Sequence, residues 1–150
     1  MIEFKNVSKR FGTTVALDQV NFKFEQGKIT GLFGPNGAGK STSIKMIAGL
    51  NRADSGEVTV DGKAPRISRA NIAYLPEIDH LYPWMTIKQA ARFTSTFYAD
   101  WDEAKYNELL NFLNLHPKMK IGKISKGQRA KTKLLLTVSR RAPYMNLCQG

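Results

Sequence analysis

The stretch Gly34-Pro35-Asn36-Gly37-Ala38-Gly39-Lys40-Ser41 fits G-x-x-x-x-G-K-[ST] and constrains the fold more than any other feature of the chain. Just before it, Ile29-Thr30-Gly31-Leu32-Phe33 reads as a short apolar strand. Just after it, Ile44, Ile47 and Ala48 recur at helical period, and Gly49 reads as a C-cap. A strand, a glycine-rich loop and a helix in that order form a nest of backbone N–H groups, with the positive end of the helix aimed into it. Glycines permit the backbone angles that such close wrapping needs. Lys40 adds a full positive charge. A ligand with several anionic oxygens is what such a nest desolvates and holds. The loop therefore predicts a nucleoside triphosphate site, with ATP as ligand and Mg²⁺ as companion ion. Lys40 is expected at the β/γ end, Ser41 on Mg²⁺ and Thr42 on the α-phosphate.

The flanking segments predict an α/β fold. Ile2 to Val7, Thr13 to Leu17 and Val20 to Phe24 read as strands, followed by a turn at Glu25 to Lys28. Glu57 to Val60 is a further strand, with Asp61-Gly62 as its turn. Ile72 to Leu75 is another, stopped by Pro76. Thr86 is placed to cap a helix carrying Ile87, Ala90, Ala91 and Phe97. Asp102 is placed to cap a second, with Tyr106, Leu109, Leu110 and Leu113 on one face. A last helix is expected from about Lys126, containing Leu134, Leu135 and Val138.

Composition narrows the setting. No run approaches the ~20 apolar residues that span a bilayer. The opening Met1-Ile2-Glu3-Phe4-Lys5 lacks a signal peptide's apolar core, so the cytoplasm is the expected location. A single cysteine, Cys148, gives neither an internal disulfide nor metal-site spacing. The net charge of +11 is uneven: all 12 acidic residues lie at or before Glu108. Residues 109 to 150 hold nine basic residues and no acid. They lack the aromatic interleaving of a stacking surface, so a solvated basic face is expected rather than nucleic-acid binding.

Gly34 to Thr42 closely resembles the phosphate loop of ABC transporter ATPase subunits, and further features match in the expected order. Lys9-Arg10-Phe11-Gly12 looks like the segment whose aromatic ring stacks on adenine, with Phe11 where the family usually has Tyr. Leu50 to Val58 resembles the family's turn into its next strand. Ile72-Ala73-Tyr74-Leu75-Pro76-Glu77 resembles the switch loop, with Glu77 at the usual Gln position. There Glu77 would ligate Mg²⁺ and sense the γ-phosphate end. Ile124-Ser125-Lys126-Gly127-Gln128 resembles the family signature, with Lys126 replacing a Gly. In the family this loop caps a γ-phosphate bound to another subunit, a task for Ser125, Gly127 and Gln128. The resemblance implies a P-loop core with an antiparallel β element over about 1–80, a helical insert over about 86–120 and the signature at 124–128. It also implies a head-to-tail pair of ATP-binding subunits, peripheral on the inner face of the membrane through a permease. Ile78, Leu81, Tyr82 and Trp84 are the residues expected to meet that permease, with core packing the competing role for Trp84.

The pattern breaks near the end. The family continues after the signature helix with an apolar strand ending in Asp-Glu, and later a His. Arg140-Arg141-Ala142-Pro143-Tyr144 leads up to that strand, but Met145-Asn146-Leu147-Cys148-Gln149-Gly150 follows. The expectation is a P-loop ATPase domain truncated before its catalytic acids, with an incomplete central sheet and little hydrolysis of its own. Export is the preferred direction, because Glu77 and Lys126 resemble the variants of exporter-type subunits. Three alternatives stay open: an ABC-type ATPase acting on ribosomes or DNA, a small-molecule kinase, and a short non-hydrolysing regulator.

Overall fold

The computed structural model describes residues 1–147; Cys148 and the adjoining Gln149-Gly150 lie outside the described residues. The chain divides into two compact units, Met1–Ile72 and Ala73–Gly150, and each is described by itself.

The first unit is built on a three-stranded antiparallel sheet in the order β2-β1-β3, from β1 (Ile2–Phe11), β2 (Thr14–Phe24) and β3 (Ser55–Val60). Ile2 and Phe4 face Phe24 and Phe22 on one side and Val60 and Val58 on the other. The Phe4 and Phe22 rings stack at 4.1 Å between centroids. The two strands expected between Thr13 and Phe24 are one continuous strand. Gln19 takes a left-handed φ of 45° where a break was expected. Its N–H is held by Ser8 Oγ at 2.9 Å, so the irregularity is absorbed as a bulge.

α1 (Lys40–Ile47) packs on β3 and buries Met46 and Ile47. It ends as expected at Gly49, which has a φ of 70°. Gly49 N–H reaches Met46 O and Leu50 N–H reaches Lys45 O, the paired bonds of a Schellman cap. The expected strand Ile29–Phe33 is not formed: Ile29 and Phe33 are almost fully exposed, and no regular structure covers the segment. A strand needs a hydrogen-bonded neighbour, and among the described residues no strand lies beside it.

The second unit packs three helices around one core. α2 (Ile87–Phe97) starts from a Thr86 cap, α3 (Glu103–Phe112) from an Asp102 cap, and α4 (Lys126–Val138) from a Ser125 cap. Ile87, Ala90, Ala91, Tyr106, Leu110, Ile121, Leu135 and Leu136 are buried together. Burial of each large aliphatic side chain is worth about 1.5–3 kcal/mol. Phe97, expected on the buried face of α2, is exposed, with its ring against Phe93.

β4 (Ile72–Leu75) pairs with β5 (Tyr144–Leu147). A strand therefore does follow α4, although its residues depart from the expected sequence. The excess of base after Glu108 is partly balanced in space by upstream acids. Arg129 pairs with Asp79, Arg140 with Asp100 and Arg141 with Asp102. Arg140 is buried, bonded to Asp100 through Nε and Nη2 at 3.0 Å each, with its guanidinium over the Tyr98 ring.

Candidate functional site

In the first unit the glycine-rich loop ends where α1 begins. The loop turns at Asn36-Gly37, and Ala38 N–H donates to Pro35 O at 3.2 Å. Gly39 is the N-cap residue, left-handed at φ 80° and buried. A Cβ there would lie 2.4 Å from Ala16 O and 2.5 Å from Leu17 Cδ2, so the loop is pressed onto β2 at a spot only glycine fits.

The N-cap residue Gly39 has no side chain with which to cap α1, and no acid lies in the helix's first turn. Its first helical bond runs from Ser43 N–H to Gly39 O, so the Lys40, Ser41 and Thr42 amides precede it. The Lys40 ammonium donates to Gly34 O at 2.6 Å and Pro35 O at 2.7 Å. Two of its three N–H groups thus close the loop, and the third is left for an anion. From Gln26 to Ala53 the sequence holds no acid, so no carboxylate in that stretch repels a bound phosphate.

Phe11 ends β1 opposite Thr14. Its ring is half exposed, with Lys9 Nζ 5.4 Å from the centroid, so it is no part of a core.

In the second unit Glu77 follows β4 after Pro76 and is exposed. Its backbone carbonyl accepts from Lys133 Nζ at 3.1 Å. The Arg129 guanidinium holds the neighbouring Asp79 carboxyl below the usual carboxylate range. Burial pushes the His80 imidazole down, towards its neutral form. At the start of α4, Ser125 Oγ accepts from Gln128 N–H at 3.1 Å. Gln128 Oε1 in turn accepts from Ser125 N–H at 2.9 Å, completing a capping box. Both side chains keep donors outside the box: the Ser125 hydroxyl proton and the Gln128 amide NH₂. At Gly127 a Cβ would meet nothing nearer than Ser125 Oγ at 4.0 Å, and no positive φ is required.

The structure thus gathers Gly34, Pro35, Gly39 and Lys40 in one unit, and Ser125, Gly127 and Gln128 in the other. Glu77 belongs to the second unit and is tied to α4. Among the described residues no three His, Cys, Asp or Glu side chains cluster to hold a metal by themselves. A Mg²⁺ ion fits Ser41 only as an ion that arrives with phosphate oxygens. Sequence reasoning missed Asp79, Arg129 and Lys133, because the partners that join them lie 50 or more residues away along the chain. The reciprocal caps at Ser125-Gln128 and Thr86-Gln89 were not expected, although the S/T-x-x-Q spacing is the signal that could have found them.

The ABC transporter family profile matches residues 17–147. The chain belongs to the ABC transporter family. The Nod factor export ATP-binding protein I of Burkholderia lata is 32% identical over 142 residues, covering 89% of this chain and 47% of that protein. This member of the ABC transporter family thus spans about half the length of the curated relatives it matches. A solved ATP binding subunit of an ABC transporter superposes with a TM-score of 0.84 at 28% identity, covering 99% of this chain and 68% of that one. A dimeric ATP-binding cassette, in a post-hydrolysis state bound to ADP and Pi, superposes with a TM-score of 0.80 at 23% identity, over 97% of this chain and 72% of that one. That likeness establishes the ABC ATPase cassette fold. No helix among the described residues is long and apolar enough to cross a membrane.

Proposed function

We propose that this chain binds Mg-ATP on Gly34 to Thr42 and serves as an ATP-binding subunit that works in a head-to-tail pair beneath an export permease. The observation that carries the reading is the closed loop: Lys40 bridges the Gly34 and Pro35 carbonyls at the start of a helix whose N-cap residue is a left-handed glycine. Backbone amides and one ammonium are thereby held in place before ligand arrives, and little ordering cost remains. In this reading Pro35, Asn36, Gly37 and Ala38 wrap the phosphates. Ser41 and Thr42 bind at the helix start, and Phe11 stacks on the base.

Bound Mg²⁺ would offset phosphate charge, with the Ser41 hydroxyl as its protein ligand beside the phosphate loop. Ser125, Gly127 and Gln128 would present donors to the nucleotide held by the other subunit. The glycine at position 127 favours this role. It weakens a helix by up to about 1 kcal/mol relative to alanine, yet nothing local demands it. Export as the direction draws on the Burkholderia relative, which is named for export. Ile78, Tyr82 and Trp84 are exposed, whereas Leu81 packs against the core. The first three are the proposed permease contacts, on a subunit lying against the inner face of the membrane.

Titration calorimetry tests the reading. Mg-ATP should release heat on binding, and Lys40→Ala should weaken affinity about 100-fold, the equivalent of roughly 2.8 kcal/mol. A folded chain that gives no heat, or a variant that binds as well as the parent, would overturn it.

A further inference from the structure

Four aromatic side chains of the second unit lie in one exposed row. Ring centroids are 4.7 Å apart for Tyr82 and Trp84, 5.9 Å for Tyr82 and Phe93, and 5.0 Å for Phe93 and Phe97. Trp84 and Phe97 are each 66% exposed, while Ile87, Ala90 and Ala91 of α2 are buried. Beside the row runs a strip of cations. Residues 117–122 lie antiparallel to residues 83–88. Ile87 N–H donates to Met119 O and Lys88 N–H to Pro117 O, at 3.0 Å each. Ile121 N–H donates to Met85 O and Gly122 N–H to Pro83 O, at 2.9 Å each. Met119 and Ile121 pack on the core, so Lys118 and Lys120 point away from it. Lys123 follows them, and Lys88 joins from the facing segment; all four lysines are exposed. Among the described residues no ion pair or side-chain hydrogen bond holds their ammonium groups. Residues 80–99 and 109–147 contain no Asp or Glu, so neither segment supplies a counter-charge.

We propose that this face of the second unit rests on an anionic lipid surface, with the aromatic row in the headgroup layer and the lysines against the headgroup charges. Unpaired ammonium groups at close quarters repel one another, and a surface of negative charge relieves the repulsion. Charge alone would suit any polyanion; the aromatic row narrows the choice. Tyr and Trp join an apolar body to a polar tip and favour the boundary between lipid and water. Lysine stems lie along apolar surface while their heads reach the charge. The Tyr82–Phe93 and Phe93–Phe97 rings meet edge to face, at 84° and 70°. They therefore form a continuous apolar ridge rather than the separate ring faces on which bases stack. No helix among the described residues is long enough to cross a bilayer, so the contact is one of lying on the surface. The basic stretch after Glu108 acquires its aromatic neighbours from residues 82–97, a combination invisible along the sequence. Tyr82 and Trp84, the proposed permease contacts, form only one end of the row. The assignment goes beyond the ATP-binding reading and needs no nucleotide.

Co-sedimentation of the full chain with vesicles tests the assignment. Vesicles of equal parts phosphatidylcholine and phosphatidylglycerol should bind it at least about tenfold tighter than phosphatidylcholine alone. Lys118→Gln, Lys120→Gln and Lys123→Gln together should weaken that binding about 100-fold, about fivefold for each lysine. Their side chains bond to nothing, so the urea midpoint should stay at the parent value. Arg52→Gln, Lys63→Gln and Arg66→Gln together remove the same charge from exposed positions of the first unit. They should leave vesicle affinity within about twofold. Phe97→Ser should weaken it about tenfold with no change of charge. Trp84 emission should shift to shorter wavelength on the anionic vesicles, and Trp84→Phe should abolish the shift. Equal binding to both vesicles, an equal loss in the first-unit variant, or unmoved Trp84 emission would each overturn the proposal. So would tighter binding to a single-stranded oligonucleotide than to anionic vesicles, lost in the same lysine variant, since the face would then belong to nucleic acid. A chain that binds anionic vesicles in this pattern but gives no heat with Mg-ATP would support the assignment and sink the proposed function.

Discussion

The starts of α1 and α4 are both expected phosphate contacts, yet they are built in opposite ways. At α1 the N-cap residue is a left-handed glycine with no side chain to offer, and the nearby lysine grips the loop carbonyls rather than the helix amides. At α4 the cap is complete: Ser125 and Gln128 satisfy each other's backbone N–H groups. A helix end whose N-cap residue has no side chain receives no acceptor from it, and an anion can serve as one. A capped end has less of that demand: the box meets the Ser125 and Gln128 amides and leaves the Lys126 and Gly127 amides, a hydroxyl proton and an amide NH₂ to offer. The proposed function reads the difference as an order. In the proposed function the α1 end, with Lys40 beside it, takes the anion first, and the α4 end joins an anion already held elsewhere. That asymmetry is what a head-to-tail pair needs, because each nucleotide then has one committed host and one late contact.

The sharpest way to break the comparison is to remove what makes the α1 end possible. Gly39→Val would force a β-branched side chain into a left-handed backbone and into Ala16 O and Leu17. Strain and overlap together should cost about 3 kcal/mol or more. The amides of residues 14–24 and 40–47 should lose exchange protection, and nucleotide binding should vanish with them. Retained protection there would mean that the loop does not sit on β2. Next in size is the Lys40→Ala loss of affinity. Calorimetry should show it with no matching drop in stability, because Lys40 bonds only to loop carbonyls. Smaller again is Ser125→Ala. Losing the cap should cost about 1 kcal/mol in urea unfolding followed at α4. Mg-ATP affinity of the single chain should remain at the parent value, whereas an equal loss at both ends would erase the proposed order.

Much of this architecture was readable from sequence, because its signals are local. The caps at Thr86, Asp102 and Ser125, the C-cap at Gly49 and the periodic faces of α2 to α4 depend on residues within a turn or two of each other. The Ile29–Phe33 segment has strand composition but no strand, since strand formation is decided by a neighbour elsewhere in the chain. The merged β2 was missed because Gln19 is not a residue that announces a left-handed bulge. The phosphate loop was legible as a pattern. The reason for its last glycine was not, because the close approach is to Ala16 and Leu17, far upstream. The link from Asp79 to Arg129 spans 50 residues and involves two charges that look unremarkable along the sequence. Trp84, for which a place in the core was a competing expectation, is two-thirds exposed.

The smallest effect is the most discriminating, because its two readouts have opposite signs. Gly127 sits in the first turn of α4, where glycine costs backbone entropy and buys no local geometry. If the cap were only a helix start, Gly127→Ala would improve it without penalty. Stability should rise by up to about 1 kcal/mol, read as a higher urea midpoint at α4. Binding of Mg-ATP to the single chain should not change, because the phosphate loop is untouched. In a form that carries the family's Asp-Glu pair, ATP-driven pairing should weaken, since a methyl group would occupy the space through which a phosphate approaches the Ser125 hydroxyl. A variant that is both more stable and equally good at pairing would show that this glycine answers to no ligand. The α4 end would then be a helix cap and nothing more.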